Sequence, residues 1–209
     1  MAPRSKDQNE QIRQERRAAI LNAAIPLFAA NGYSTTSMSE IAQAAGVSHG
    51  TVFLYFPTKD LLFRAALEEP LQEAEQHFHL IAAMEGTPLE RIRRMVRDQM
   101  NVFRNMEDYV RLTQYVIGQR QRFPELAQLC FDFSRRYAET LVPVILEGQR
   151  MGQLAKQDPY DIAGIYFSLL NGLALVVLKP HGPIWESAVE AAVRIFAPIE
   201  PEGVDPSCR

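Results

Sequence analysis

The 209 residues are 47% hydrophobic and 22% charged, an ordinary globular composition on a chain long enough to bury a core as one large or two small domains. A net charge of −3 does not mark a nucleic-acid binder, and its distribution is shallow. Six basic residues (Arg4, Lys6, Arg13, Arg16, Arg17, Lys59) against five acidic ones (Asp7, Glu10, Glu15, Glu40, Asp60) leave residues 1–60 at +1 and the remainder at −4. Cys130 and Cys208 lie too far apart for a metal or redox pair, which fits a reducing cytoplasm, and the polar residues 1–17 do not read as a secretory signal.

Residues 1–9 read as a disordered arm. A first helix follows from about Gln11 to Asn31, with Leu21, Ala24, Ile25 and Phe28 at i, i+3, i+4, i+7 and Gly32 as its end. Pro26 removes a hydrogen bond inside that helix, at about 3 kcal/mol in an ordinary case, and predicts a kink. Ser37 and Glu40 then have capping-box spacing, Ile41, Ala42 and Ala45 share a helical face, and Gly46 stands where a left-handed residue ends the helix. Ser48 is the N-cap of the next helix, and Val47 with Val52 has the spacing of a hydrophobic staple. Val52 and Phe56 turn toward the preceding helix and Pro57 stops the run.

Two short helices on a glycine-containing turn form a helix-turn-helix. The face opposite Val52 and Phe56 carries Gly50 and Leu54, flanked by Thr51 and Phe53, with His49 in the opening turn, a surface suited to the DNA major groove. Gly46-Val47-Ser48-His49-Gly50 also matches the G-x-S-x-G nucleophile elbow. That motif needs a strand before the serine, whereas an alanine-rich capped helix precedes it here, so Ser48 is read as a cap.

Thr58 caps a fourth helix through Leu61, Leu62 and Leu67 toward Met84, bent or broken at Pro70, with Lys59 in its first turn as a phosphate contact. His77 and His79, with Glu73, do not make a metal set, because i and i+2 point apart on a helix. Neither a metal nor a cofactor is expected. Thr87-Pro88-Leu89-Glu90 starts another helix with Ile92, Met95, Val96 and Phe103 along one stripe. The next runs through Tyr109, Leu112, Tyr115 and Val116 to near Gly118. Pro124 opens a long helix with Leu126, Leu129, Cys130, Phe133 and Tyr137 inward, bent at Pro143 and closed by Gly148 and Gly152. Asp158-Pro159 begins a helix to about Leu178, and a last one spans about Ile184 to Phe196 before a proline-rich tail. Residues 162–178 carry no charge. They are at the short limit for a membrane span, and Gly164, Ser168 and Gly172, spaced every four, favour close helix contact in a buried interface instead.

From about Glu15 to Leu67 the chain resembles the DNA-binding domain of the TetR family of bacterial transcriptional regulators. The resemblance rests on Asn31-Gly32-Tyr33-Ser34-Thr35-Thr36, on Ile41-Ala42-Gln43-Ala44-Ala45-Gly46-Val47-Ser48, and on the run from Gly50 to Leu61. It implies an all-α protein with an N-terminal three-helix helix-turn-helix domain and a C-terminal helical ligand-binding and dimerisation domain. The corresponding segments are 1–9 (arm), 10–57 (DNA-binding), 58–84 (connecting helix), 85–198 (effector and dimerisation) and 199–209 (tail).

Base contacts are then expected from His49, Gly50, Thr51, Leu54 and Ser39, and phosphate contacts from Thr36, Ser37, Ser48, Tyr55 and Lys59. Phe53 departs from the tyrosine common at its position, which leaves its ring for packing. Met95, Met100, Phe103, Tyr109, Tyr115, Phe131, Tyr137 and Phe167 are the expected lining of a pocket for an apolar or aromatic effector. Gly164, Ser168, Gly172, Val176, Val189 and Val193 are expected at a homodimer interface. The family reading is a cytoplasmic repressor, not an enzyme or a membrane protein, that binds a palindromic double-stranded operator and is released by a small molecule. The alternative is a helical small-molecule-binding protein that has kept the fold without specific DNA binding.

Overall fold

The computed structural model describes residues 6–176 and 183–197, and every regular element among them is an α-helix. They are α1 (Lys6–Thr35), α2 (Met38–Ala44), α3 (His49–Tyr55), α4 (Lys59–Ala82), α5 (Pro88–Asn105), α6 (Glu107–Gly118), α7 (Pro124–Arg150), α8 (Pro159–Val176) and α9 (Pro183–Arg194). No described helix is long and apolar enough to cross a membrane. The tail expected over 199–209 lies outside the described residues, as do the side chains of His79, Phe103 and Val176.

The chain condenses into two compact units, one of Met1–Ala74 with Met106–Asp132 and one of Glu75–Asn105 with Phe133–Arg209. The helix α6, expected with the effector domain, therefore belongs to the unit that holds the helix-turn-helix. Its Leu112 and Val116 share one core with Ile20, Phe28, Ile41, Val52 and Phe63. Removing side chains of this size from water contributes about 1.5–3 kcal/mol each, which fixes α1, α2, α3 and α6 against one another.

Local sequence explains where these helices start and stop. The described residues open within α1 at Lys6, inside the expected arm, and the helix runs past Pro26; its backbone leaves helical geometry at Gly32 (φ 76°, ψ 169°) instead. A side chain at Gly32 would be strained by that φ and would also meet the Tyr115 ring at 3.2 Å. The capping box of α2 is complete: Ser37 Oγ accepts from the Glu40 N–H at 3.2 Å and the Ser37 N–H donates to Glu40 Oε2 at 2.7 Å. Gly46 (φ 65°) ends α2, and Ser48 Oγ accepts from the Thr51 N–H at 3.1 Å to start α3. Thr58 caps α4 by accepting from the Leu61 N–H.

In the second unit α5, α8 and α9 pack with the later part of α7 around Ile92, Met95, Leu141, Ile145, Ile162, Tyr166 and Phe196. Thr87 with Glu90 forms a second capping box, and Asp158 Oδ1 accepts from the Tyr160 N–H at 2.8 Å to start α8. The helices α4 and α7 continue past Pro70 and Pro143, where bends were expected. Gly148 does not close α7. It is buried inside the helix because Leu154 lies 2.5 Å from where its Cβ would be, and Gly152 (φ 70°) follows the helix end at Arg150.

Candidate nucleic-acid interface and ligand site

The short α3 helix is held by one side and bare on the other. Val52 and Phe56 are buried against α1 and α2, while His49, Gly50, Phe53 and Leu54 face solvent, Leu54 at 79% exposure and Phe53 at 39%. The His49 and Phe53 rings lie 4.7 Å apart, one helical turn along the same strip. Thr51 is half-buried and its hydroxyl is 2.7 Å from Ser48 Oγ, so these two side chains serve the α3 N-terminus first. Ser39 and Ser37 are exposed on α2 and at its cap. Tyr55 packs its ring on the core of its unit, and its hydroxyl has no hydrogen-bond partner among the described residues.

Two expected phosphate contacts are otherwise engaged. Thr36 is 1% exposed, and its hydroxyl is directed at the carbonyls of Gly32 (2.8 Å) and Leu27 (3.1 Å), so a phosphate cannot reach it. Lys59 Nζ donates to the carbonyls of Tyr33 (2.7 Å) and Thr36 (2.9 Å) and stands 4.4 Å over the Tyr33 ring. Its ammonium satisfies carbonyls left open where α1 breaks, a structural use of the charge.

Tyr33 is the centre of that corner. Its backbone N–H donates to the Tyr115 hydroxyl at 3.1 Å, its own hydroxyl donates to Asp60, and Arg122 lies 5.3 Å from its ring while donating to Ser34 Oγ at 2.8 Å. Burial, together with the Asp60 carboxylate, pushes the Tyr33 phenol up to about 12. Tyr115 is therefore a strut under the α1–α2 turn, packed on the core of the helix-turn-helix unit and not on the core that holds Met95, Met100 and Tyr137. The same holds for Tyr109, which is half-buried against the helix-turn-helix core and donates its hydroxyl to the Leu67 carbonyl at 2.8 Å; loss of solvent around the hydroxyl holds its phenol well above the usual range. Phe131, a further expected pocket residue, lies in this unit with 47% of its surface exposed.

Of the other expected pocket residues, Met95, Met100, Tyr137 and Phe167 share one core. Met95, Met100 and Tyr137 are buried in the second unit, and Phe167 sits 5.6 Å from the Tyr137 ring. Two residues not anticipated there complete the group: the Tyr137 and Tyr166 hydroxyls both donate to Gln99 Oε1 at 2.6 Å. Distances that short fit O–H donors better than an amide N–H, so the Gln99 carbonyl faces the tyrosines and its N–H₂ points elsewhere. Burial raises both phenols, so both remain proton donors at neutral pH.

On α8, Gly164, Ser168 and Gly172 are exposed beside Ile165 at 54%, and among the described residues nothing beyond the helix's own backbone lies within 4 Å of a Cβ built at either glycine. Val189 and Val193 differ from expectation. Both are buried in their own unit's core, where α9 packs on α5, so they have no surface left for a second subunit.

A helix-turn-helix with a bare second helix, joined to an all-helical second unit, defines a class of regulatory protein. Residues 20–66 match the model for bacterial regulatory proteins of the tetR family, and residues 90–197 match that of the AefR-like transcriptional repressor C-terminal domain. The chain belongs to the TetR family of bacterial transcriptional regulators. It is 36% identical over 136 residues to the HTH-type transcriptional repressor Rv3405c of Mycobacterium tuberculosis, a match covering 62% of this chain and 64% of that one. The match to the fatty acid metabolism regulator protein of Bacillus subtilis is 25% over 135 residues, 65% and 69% of the two chains. The fold resembles the ketosteroid transcriptional regulator KstR2 of M. tuberculosis with a TM-score of 0.72 at 18% identity, over 87% and 95% of the chains.

Proposed function

We propose that this chain is a dimeric transcriptional repressor that binds a two-fold symmetric operator through α3 and leaves it when a small molecule enters the second unit. The observation that carries the reading is the division of α3: Val52 and Phe56 lock it down, while His49, Gly50 and Leu54 project from it with no contact to the core. Gly50 adds to this. A Cβ there would meet nothing closer than Ser48 Oγ at 4.0 Å, and its φ is not positive, so the fold itself has no need of glycine at this position. A bare backbone in an exposed first turn suits close approach to a base edge.

Phosphate contacts in this reading come from Ser37, Ser48 and the Tyr55 hydroxyl. Two subunits meet through the Gly164–Ser168–Gly172 face of α8, where the missing side chains admit a second helix. The effector is an apolar or aromatic molecule seated among Met95, Met100, Tyr137 and Phe167, with the Gln99 N–H₂ available to an acceptor group. Relatives named for fatty acid metabolism and for ketosteroids are compatible with such a molecule. The helices α4 and α7 each run through both units and supply the covalent path along which binding at one is felt at the other. Linkage makes that effect reciprocal.

The test is selection of duplexes from a randomised pool by the full-length protein. Enrichment of a sequence with two related half-sites is the expected result. A pool that stays random through repeated rounds at low salt would contradict the reading.

A further inference from the structure

We infer that the operator is read chiefly through thymine methyl groups, with Phe53 as a base-reading residue beside Leu54. This inference rests on the DNA-binding reading above. Base edges in the major groove are told apart by paired donors and acceptors: Arg or Lys on guanine, Asn or Gln on adenine, Asp or Glu on cytosine. The α3 sequence, His-Gly-Thr-Val-Phe-Leu-Tyr, contains none of these six residue types, and Glu40 is the only Asp, Glu, Lys or Arg between Ser37 and Thr58.

Beyond the His49 imidazole and the bare Gly50, what α3 offers outward is apolar. Leu54 is exposed over 79% of its surface, and Phe53 over 39% although its ring centroid lies 4.7 Å from that of His49. The thymine C5-methyl is the one apolar feature of the major-groove edge, and an isobutyl group or a ring edge matches it. His49 holds the Phe53 ring in place from one turn below, and Gly50, one turn before Leu54, lets the helix come close enough for methyl contact. The ring is thus more than packing.

The experiment uses the duplex selected by the full-length protein and a copy with deoxyuridine in place of thymidine in the half-sites. That exchange keeps every Watson–Crick and groove hydrogen bond and removes only methyl groups. Affinity is expected to fall about fourfold for each contacted methyl, the value of burying one such group. In Leu54→Ala and Phe53→Ala proteins, shown by circular dichroism to be folded, the difference between the two duplexes is expected to shrink by that factor. Equal affinity of the native protein for both duplexes would overturn the inference and leave the regulator reading standing. So would a difference that persists undiminished in both variants, since the methyls would then act through DNA shape. Failure to select any duplex would overturn both.

Discussion

Lys59 donates to the carbonyl of Tyr33 and lies over the ring of the same residue, so the first residue of α4 closes the end of α1. The broken end of a helix exposes carbonyls that must find donors, and here an ammonium 26 residues away in sequence supplies them. This corner sets the path by which the chain enters α2, and with it the position of α3 within its unit.

Replacing Lys59 by Ala leaves the Tyr33 and Thr36 carbonyls without that donor. The expected cost is about 2 kcal/mol in urea unfolding, the usual value of hydrogen bonds from a charged group. DNA binding by the folded fraction should fall less than for loss of a true phosphate contact. An unchanged midpoint would show that the ammonium is not held at these carbonyls.

Gly50→Ala separates stability from function. Alanine is better than glycine in a helix by roughly 0.5–1 kcal/mol, and the site has room for its methyl, so the variant should melt higher. Affinity for the selected duplex should drop, because the methyl enters the space of the DNA. A variant that is more stable and binds as well as the native chain would remove Gly50 from the interface.

Acid should weaken both capping boxes. The hydrogen bonds from Ser37 hold the Glu40 carboxyl below the usual 4.5, and those from Thr87 do the same for Glu90. A depressed pKa in the folded chain gives stability that is present above about 4.5 and is lost as pH falls through the folded value. Glu40→Gln and Glu90→Gln keep a capping side chain without the titration. Their unfolding midpoints should therefore change less than the native one between pH 5 and pH 3.

Two substitutions in the second unit should behave oppositely. Ile165→Arg lies on the exposed face of α8 and should yield folded monomers in sedimentation, whereas Val193→Ala opens a buried site between α9 and α5 and should lower stability by about 2 kcal/mol with the dimer intact. A dimeric Ile165→Arg protein would place the interface elsewhere.

Much of the N-terminal unit is legible in sequence because its signals are local. Ser37 with Glu40, Gly46 and Ser48 act within a few residues of themselves, and each does in the structure what its spacing predicts. Thr36 and Lys59 are engaged by backbone carbonyls, partners that carry no residue signature and so could not be read from the spacing that suggested phosphate contacts. Tyr109 and Tyr115 were assigned to the pocket because periodicity shows that α6 has an apolar face without showing that α1 and α4 receive it. Gln99 did leave a trace. It stands four residues after Met95 on the stripe of α5 that is otherwise apolar, and a polar residue there needs a buried partner. Val189 and Val193 show a limit of pattern: an apolar stripe marks burial but not whether the cover is the same chain or another.

The most direct measurement is fluorescence anisotropy of the selected duplex with the native protein and with a His49→Ala, Leu54→Ala variant, across a range of salt concentrations. Both changes fall on the exposed face of α3, so the variant should unfold like the native chain. The account predicts tight binding by the native protein, weakening as salt rises, and a variant reduced toward its affinity for random DNA. A folded variant that binds the selected duplex as tightly as the native protein would contradict it, because α3 would then not be the element that reads the operator.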